Sequence, residues 1–151
     1  MKIAVFAGSF DPITRGHESI IRRALPLFDR IIVAIGTNAD KTGYFPLESR
    51  LKWIKDVFKD TPAISVESYN GLTVDFCKEK NAGYLIRGLR TSADFEFERS
   101  VAQVNSRLDP ILETVFMLTL PEHVMITSSI VREVHRNGGD IRQFIPEGIV
   151  I

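Results

Sequence analysis

Lys2-Ile-Ala-Val-Phe6, running into Ala7-Gly8-Ser9-Phe10-Asp11-Pro12-Ile13-Thr14-Arg15-Gly16-His17, is the stretch on which the fold turns. The first five residues form a nearly continuous apolar run, the pattern of a strand covered on both faces in a parallel sheet. The loop that follows is rich in turn formers. From His17 the period changes, and Ile20, Ile21, Ala24 and Leu25 fall on one helical stripe, with Pro26 placed to end or kink the helix. A strand, a glycine-bearing turn and an amphipathic helix together make the opening of a βαβ series.

The rest of the chain repeats this alternation. Arg30–Ile35, Ala63–Glu67, Tyr84–Ile86 and Thr114–Leu118 read as four more short strands, the second of the five rich in β-branched residues and the third less buried. Between them, Leu47, Leu51, Ile54 and Phe58 repeat at helical spacing behind Pro46, which suits a first helical turn. Leu72–Lys80 forms a further helix, with Gly83 beyond a stop. Thr91, with Asp94 three residues on, caps a long helix to about Leu108 whose inner side carries Val101, Val104 and Leu108. Ser128 or Ser129 caps a last helix that ends at Asn137-Gly138-Gly139. Five strands alternating with helices, joined by right-handed crossovers, predict one doubly wound α/β domain over residues 1–151, Rossmann-like, with a five-stranded parallel sheet. Ligands of such sheets bind beyond the carboxyl ends of the strands at a switch point, so the loops after Phe6, Ile35, Ser68, Ile86 and Leu118 are the ones that matter.

Composition bounds the function. The chain has 151 residues, 44% hydrophobic and 25% charged, enough for one packed core. Lys plus Arg is 19 and Asp plus Glu is 19, a zero balance that excludes a globally basic nucleic-acid coat or a polybasic membrane sensor and leaves room for a local cationic pocket. Cys77 is the single cysteine, which excludes a disulfide framework and a cysteine-based zinc site. It reads as a small buried apolar residue. No apolar run approaches the ~18 residues that span a bilayer. A strand starting at Lys2 leaves no signal peptide, and the expectation is a cytoplasmic protein with no nucleic-acid or membrane partner.

The first loop suits an anion. Gly8 and Gly16 let backbone approach a ligand, Ser9 offers a hydroxyl, and His17 sits in the first turn of a helix whose free N–H groups attract phosphate. The same dipole disfavours an imidazolium, so His17 is expected to act as a neutral N–H donor. The loop lacks the Gly-Lys-Ser/Thr ending of a Walker A motif and the glycine spacing of a dinucleotide fingerprint. Taken alone it is equally a glycine-containing turn with an incidental histidine.

Two motifs in order carry a resemblance. Thr14-x-Gly16-His17 after the Gly-Ser-Phe-Asp-Pro strand exit resembles the (H/T)xGH signature of the nucleotidylyltransferase superfamily. Ile126-Thr127-Ser128-Ser129-Ile130-Val131-Arg132 resembles its second, ISSSxxR-type signature at a helix start. Three further segments narrow the likeness: Ile86-Arg87-Gly88-Leu89-Arg90, Asp94-Phe95-Glu96-Phe97-Glu98, and Lys41 ahead of Phe45-x-Leu47-Glu48-x-Arg50. With these the chain resembles the bacterial phosphopantetheine adenylyltransferases of coenzyme A synthesis from Ala4 to Pro146. It departs from them at Ala7, where proline is usual, at Glu122–Met125, where a large aromatic is common, and at Thr127, which replaces a serine but keeps its hydroxyl.

The resemblance implies transfer of the adenylyl group of ATP to 4′-phosphopantetheine, giving dephospho-coenzyme A and pyrophosphate without a covalent enzyme intermediate. It implies His17 and Lys41 at the reaction centre. Ser9, Phe10, His17, Gly88, Leu89, Arg90, Glu98, His123, Val124, Met125, Ile126, Thr127, Ser128 and Ser129 would meet ATP, with Glu98 on the ribose and the Thr127–Ser129 hydroxyls on the β- and γ-phosphates. Ser9, Lys41, Thr73 and Arg87 would meet phosphopantetheine. Mg²⁺ is expected with ATP, held by phosphates and water, with no protein ligand. The resemblance also implies a homohexamer, a dimer of trimers, and feedback by coenzyme A.

Each residue has a plainer reading by itself. Arg87 and Lys41 are solvated charges, Thr127-Ser128-Ser129 a helix cap, Phe95 and Phe97 packing residues, Trp53 a packing or covering residue, and His123 and His135 surface residues. Another adenylyl- or cytidylyltransferase of the superfamily, acting on nicotinamide mononucleotide or glycerol phosphate, is the alternative enzyme. A non-catalytic nucleotide sensor and a flavodoxin-like electron carrier are alternatives of other classes.

Overall fold

The computed structural model describes residues 1–38 and 40–151. Strands β1 (Ile3–Gly8), β2 (Arg30–Thr37), β3 (Ile64–Asn70), β4 (Tyr84–Leu89) and β5 (Glu113–Leu118) alternate with helices α1 (Arg15–Ala24), α2 (Leu47–Val57), α3 (Thr73–Glu79), α4 (Ser92–Leu108) and α5 (Ser128–Arg136). The strands form one sheet in the order β3-β2-β1-β4-β5, with every neighbouring pair parallel. This is the doubly wound α/β architecture that the sequence predicts. The order reverses between β1 and β4, so the switch point lies beyond Gly8 and Leu89.

Alternation along β1 divides the core. Ala4 and Phe6 join Ile31, Val33, Ile35 and Ile86 on one face, under Ile20, Ile21 and Ala24 of α1, Ile54 of α2 and Val131 of α5. Val5 and Ala7 join Ile32, Ala34 and Leu85 on the other, under Val74, Phe76 and Cys77 of α3. Ile141, Ile145 and Ile149 bring the C-terminal tail onto the first face. Burying one such isoleucine contributes about 1.5–3 kcal/mol. Arg15 ties this tail to the start of α1 by donating through Nε to the Ile145 carbonyl at 2.9 Å and through Nη2 to that of Arg142 at 3.1 Å.

Three expectations are corrected. β4 does not stop at Ile86 but runs to Leu89, so Arg87 and Gly88 are strand residues, paired with Phe116 and Met117 of β5. A charged side chain at the end of a parallel strand still satisfies the ladder, and apolar runs alone miss it. The cap of α5 is Thr127, whose hydroxyl accepts from the Ile130 N–H at 3.1 Å, and not Ser128 or Ser129. Finally, α4 has the capping box expected of Thr91 and Asp94 but no buried residue. Val101, Val104 and Leu108 do not face inward: Val104 is 58% and Phe97 69% exposed, and only Phe95 makes an aromatic contact, edge-on to Phe116 at 5.7 Å. Periodicity marks an apolar side of a helix without saying whether its partner lies in the same chain.

Cys77 is fully buried on α3, and burial, with the nearby Asp109 charge, pushes its thiol up to about 11. The folded protein is therefore expected to resist a thiol reagent at pH 8 and to react once in denaturant. Equal rates in both conditions would contradict this packing.

Candidate active site

A cleft of about 310 Å³ opens at the switch point. It is bounded by the end of β1, the start of α1, the end of β4, α4 and the first turn of α5. The loop from β1 to α1 threads between this cleft and a second one of about 690 Å³: Gly8 and Phe10 line the first, Ser9 and Asp11 the second.

The loop has an unusual backbone. Phe10 adopts φ +45°, a left-handed conformation that costs a bulky residue about 1–3 kcal/mol. Its ring is nevertheless almost fully buried, edge-on to Phe6 at 5.6 Å and to His17 at 4.9 Å, and that burial offsets the strain. Side chains from elsewhere hold the loop's carbonyls. Arg87 donates to Ala7, Arg50 to Ser9, Arg132 to Asp11 and Ser128 to Pro12, each at 2.8 Å. Both signatures are thus joined physically, since Ser128 and Arg132 of the second clasp the loop of the first.

His17 occupies the third position of α1 and closes a capping box with Thr14. The Thr14 hydroxyl accepts from the His17 N–H, and His17 Nδ1 accepts from the Thr14 N–H at 3.0 Å. An acceptor Nδ1 leaves the ring proton on Nε2. Burial, then the charges of Arg90 and Arg87, push the pKa of His17 down to about 4. The imidazole is neutral at pH 7, as the sequence suggests, but burial and two arginines are the cause rather than the helix dipole alone.

Arg87 lies across the cleft. Its Nε and Nη2 donate to both carboxylate oxygens of Glu98 at 2.9 and 2.7 Å, and Nη1 reaches the Ala7 carbonyl. Three of the five guanidinium N–H groups are thereby used and two remain. Arg90 is exposed and pairs loosely with Asp94, whose Oδ2 lies 3.4 Å from Nε. Gly88 is glycine for packing reasons, because a Cβ there would strike Cδ1 of Ile20.

The same cleft gathers Phe10, His17, Arg87, Gly88, Arg90, Glu98, His123, Ile126, Thr127, Ser128 and Ser129. The hydroxyls of the second signature have protein partners: Thr127 caps α5, Ser128 holds the Pro12 carbonyl, and Ser129 accepts from Arg132 at 3.2 Å. What α5 offers the cleft is the first-turn N–H groups, which lack intrahelical acceptors. His123 Nδ1 is buried there without a hydrogen-bond partner among the described residues.

Other expected residues lie apart. Ser9 and Lys41 line the second cleft, and Thr73 lines a third that shares Arg87 and Glu98 with the first. Leu89 is buried in the sheet, Met125 is 81% exposed, and Val124 does not line the cleft. His135 is no bare surface residue, since its Nδ1 lies 2.8 Å from the Tyr44 hydroxyl. Sequence reasoning quoted Thr14, Asp11, Arg50 and Asp94 within motifs and gave Asp94 a part in capping α4, but assigned none of them a role in the site. Thr14 carried a visible signal, a threonine three residues ahead of a polar side chain at a helix start. The pairing of Asp11 with Arg50 carried none, because it joins separate segments.

A family model described as Cytidylyltransferase-like matches residues 5–134. The phosphopantetheine adenylyltransferase of Flavobacterium psychrophilum is 54% identical over 149 residues, covering 99% of this chain and 98% of the relative. The chain belongs to the phosphopantetheine adenylyltransferase family. The member from Bacteroides thetaiotaomicron is 46% identical over 151 residues, covering 100% of this chain and 99% of its own. Among solved structures, a bifunctional NMN adenylyltransferase/ADP ribose pyrophosphatase from Francisella tularensis superposes with a TM-score of 0.75 at 18% identity, over 98% of this chain and 46% of that one. At that identity the likeness extends to the fold. No helix among the described residues is long and apolar enough to cross a membrane.

The pKa of His17 can be read directly. Its ring resonances in an NMR pH titration are expected to move with a midpoint near 4. Because the folded value lies below the free one, stability from this group is present above about pH 6.5 and is lost as pH falls toward 4. A midpoint near 6.5 would remove the electrostatic account of the site.

Proposed function

We propose that this chain transfers the adenylyl group of ATP to 4′-phosphopantetheine by direct in-line attack within one domain spanning residues 1–151. A phosphate oxygen of phosphopantetheine forms a bond to the α-phosphorus of ATP. The bond from that phosphorus to the oxygen bridging to the β-phosphate breaks, and pyrophosphate leaves with the electron pair. The nucleophile is already anionic near neutral pH, so no strong base and no protein nucleophile is needed. The demands are alignment and stabilisation of charge on the non-bridging and leaving oxygens.

The observation that carries this reading is a neutral His17 with its proton on Nε2, beside two arginines and the first turn of α5, in a chain 54% identical to a named member of the family. His17 donates from Nε2 to the α-phosphate as charge builds there. Arg90 leaves Asp94 for the triphosphate, the Gly88 backbone approaches the same phosphates, and the N–H groups of Thr127, Ser128 and Ser129 receive the β- and γ-phosphates. The spare N–H groups of Arg87 take the phosphopantetheine phosphate while Glu98 holds the guanidinium in place and meets the ribose. Thr73 borders the pantetheine arm. The orphaned Nδ1 of His123 supports adenine binding along His123–Ile126, with Leu89, Val124 and Met125 contributing backbone at most. Ser9 and Lys41 reach the reacting phosphates from the neighbouring cleft, the lysine through its long side chain.

Mg²⁺ accompanies ATP and neutralises phosphate charge. Asp94 and Glu98, the carboxylates lining the cleft, are engaged by Arg90 and Arg87, which fits a metal held by phosphate oxygens and water. The exposed apolar side of α4 supports assembly, here a homohexamer of two trimers. Coenzyme A carries both halves of the product and so competes at the same cleft as a feedback inhibitor. A cytoplasmic location fits these substrates.

Pyrophosphate release tests the reading. It is expected with ATP and phosphopantetheine, and not with ATP and nicotinamide mononucleotide or CTP and glycerol phosphate. Release with either of the latter pairs alone would transfer the chain to the alternative activity. His17→Ala should lower turnover by about 10²–10³ with ATP binding little changed, the loss typical of one transition-state donor. Turnover within a few-fold of the parent would refute the role of His17.

A further inference from the structure

The first-signature loop does more than line the cleft: through Asp11 it also seats the segment that carries Lys41. Asp11 is buried, with 7% of its surface exposed, and both carboxylate oxygens are engaged by that segment. Oδ2 accepts from the Tyr44 N–H at 2.7 Å and Oδ1 from the Phe45 N–H at 2.9 Å. Arg50, equally buried on α2, lies beside it, with Nε 3.9 Å from Oδ1. That guanidinium also donates to the carbonyl of Phe45 at 3.0 Å and to that of Ser9 at 2.8 Å. One buried ion pair therefore grips the backbone on both sides, the β1–α1 loop and the β2–α2 loop.

Gly43 completes the seat. A Cβ at this position would stand 2.8 Å from Arg50 Nη2 and 3.0 Å from Asp11 Oδ2. No side chain fits between the loop and the pair without displacing one of its members. Lys41 itself is exposed and lies two residues before this glycine, bridged to Asn38 through its backbone N–H at 3.0 Å. The fixed point nearest Lys41 on its carboxyl side is thus the contact with Asp11.

We infer that Asp11 is a positioning residue for the adenylyl transfer, fixing through Tyr44, Phe45 and Gly43 the distance of the Lys41 ammonium from the loop that carries Ser9 and leads to His17. The inference rests on the proposed role of Lys41. A buried pair used this way is suited to registry between two loops more than to stability, since desolvation of both ions offsets most of their attraction. Misplacing a catalytic group by about 1 Å costs about 10²-fold in rate.

The test is a double-mutant cycle read together with amide exchange. Asp11→Asn keeps the side-chain volume and one acceptor but opposes the second N–H with an amide donor. It is expected to lower kcat by about 10–10² with the KM for ATP within about two-fold, a loss confined to the reaction step. Added to Lys41→Ala, it should cost less than two-fold more, because the group it positions is already gone. Multiplying losses would overturn the inference. Gly43→Ala, which leaves both ions intact, should reproduce the kcat loss and the non-additivity; wild-type turnover in this variant would also overturn it. Hydrogen exchange at the Tyr44 and Phe45 amides separates this idea from the role of Lys41. Faster exchange there in Asp11→Asn, with the α1 amides unchanged, supports the seat even if Lys41→Ala turns over normally, in which case it is the lysine's role that fails. Unchanged exchange at both amides overturns the seat itself.

Discussion

The end of β1 and the loop to α1 present carbonyls that side chains from other elements satisfy. A buried carbonyl without a donor costs about 1–3 kcal/mol. The carbonyls of Ala7, Ser9, Asp11 and Pro12 are met by Arg87 from β4, Arg50 from α2, and Arg132 and Ser128 from α5. The four donors come from three elements, so together they tie β4, α2 and α5 to the loop. The strained Phe10 and the capping box of Thr14 with His17 are held inside that cage.

The same residues therefore serve packing and chemistry. Ser128 of the second signature donates to the Pro12 carbonyl, which makes the signature a clasp on the first-signature loop. His17 is an acceptor at Nδ1 for local reasons of helix capping, and that alone puts the ring proton on Nε2. A glutamate in the same capping position would close the box equally well but would bring negative charge to the cleft. Histidine closes it and remains a neutral donor because burial and two arginines keep it from being protonated.

The five strands, their parallel order and the position of the cleft at the switch point were legible because they depend on local periodicity and on chain connectivity, both properties of short segments. The extension of β4 through Arg87 and Gly88 was not, since hydrophobic pattern stops where a strand becomes polar at its functional end. The outward face of α4 was misread for a related reason: Val101, Val104 and Leu108 repeat as a core stripe would, and the pattern is silent on which surface they meet. Of the candidate site, the two signatures pointed to His17 and the α5 terminus and the Ile86–Arg90 segment to Arg87 and Arg90, while the separation of Lys41 and Ser9 into a second cleft depends on how the loop alternates its side chains between two sides. The pairing of Asp11 with Arg50 was invisible because a buried pair joining two loops leaves no spacing in sequence.

A net charge of zero acquires a structural sense from these pairs. Three of the four arginines lining the two clefts each have an acid, Arg87 with Glu98, Arg90 with Asp94 and Arg50 with Asp11, while Arg132 donates to the Asp11 carbonyl and the Ser129 hydroxyl. The pairs differ in how firmly they hold. Arg50 and Asp11 are both buried at the edge of the second cleft, and their charges are spent on joining two loops. Arg90 is exposed and Asp94 half-buried, and a pair this open to solvent is worth only about 0–1 kcal/mol. Arg87 is intermediate: its bidentate contact with Glu98 fixes the plane of the guanidinium and leaves two N–H groups free. These pairs set part of the positive charge of the clefts against carboxylates, which limits self-repulsion in the fold. The grip of each pair follows its burial, from the enclosed Arg50–Asp11 pair that joins two loops to the more open Arg90–Asp94 pair at the cleft.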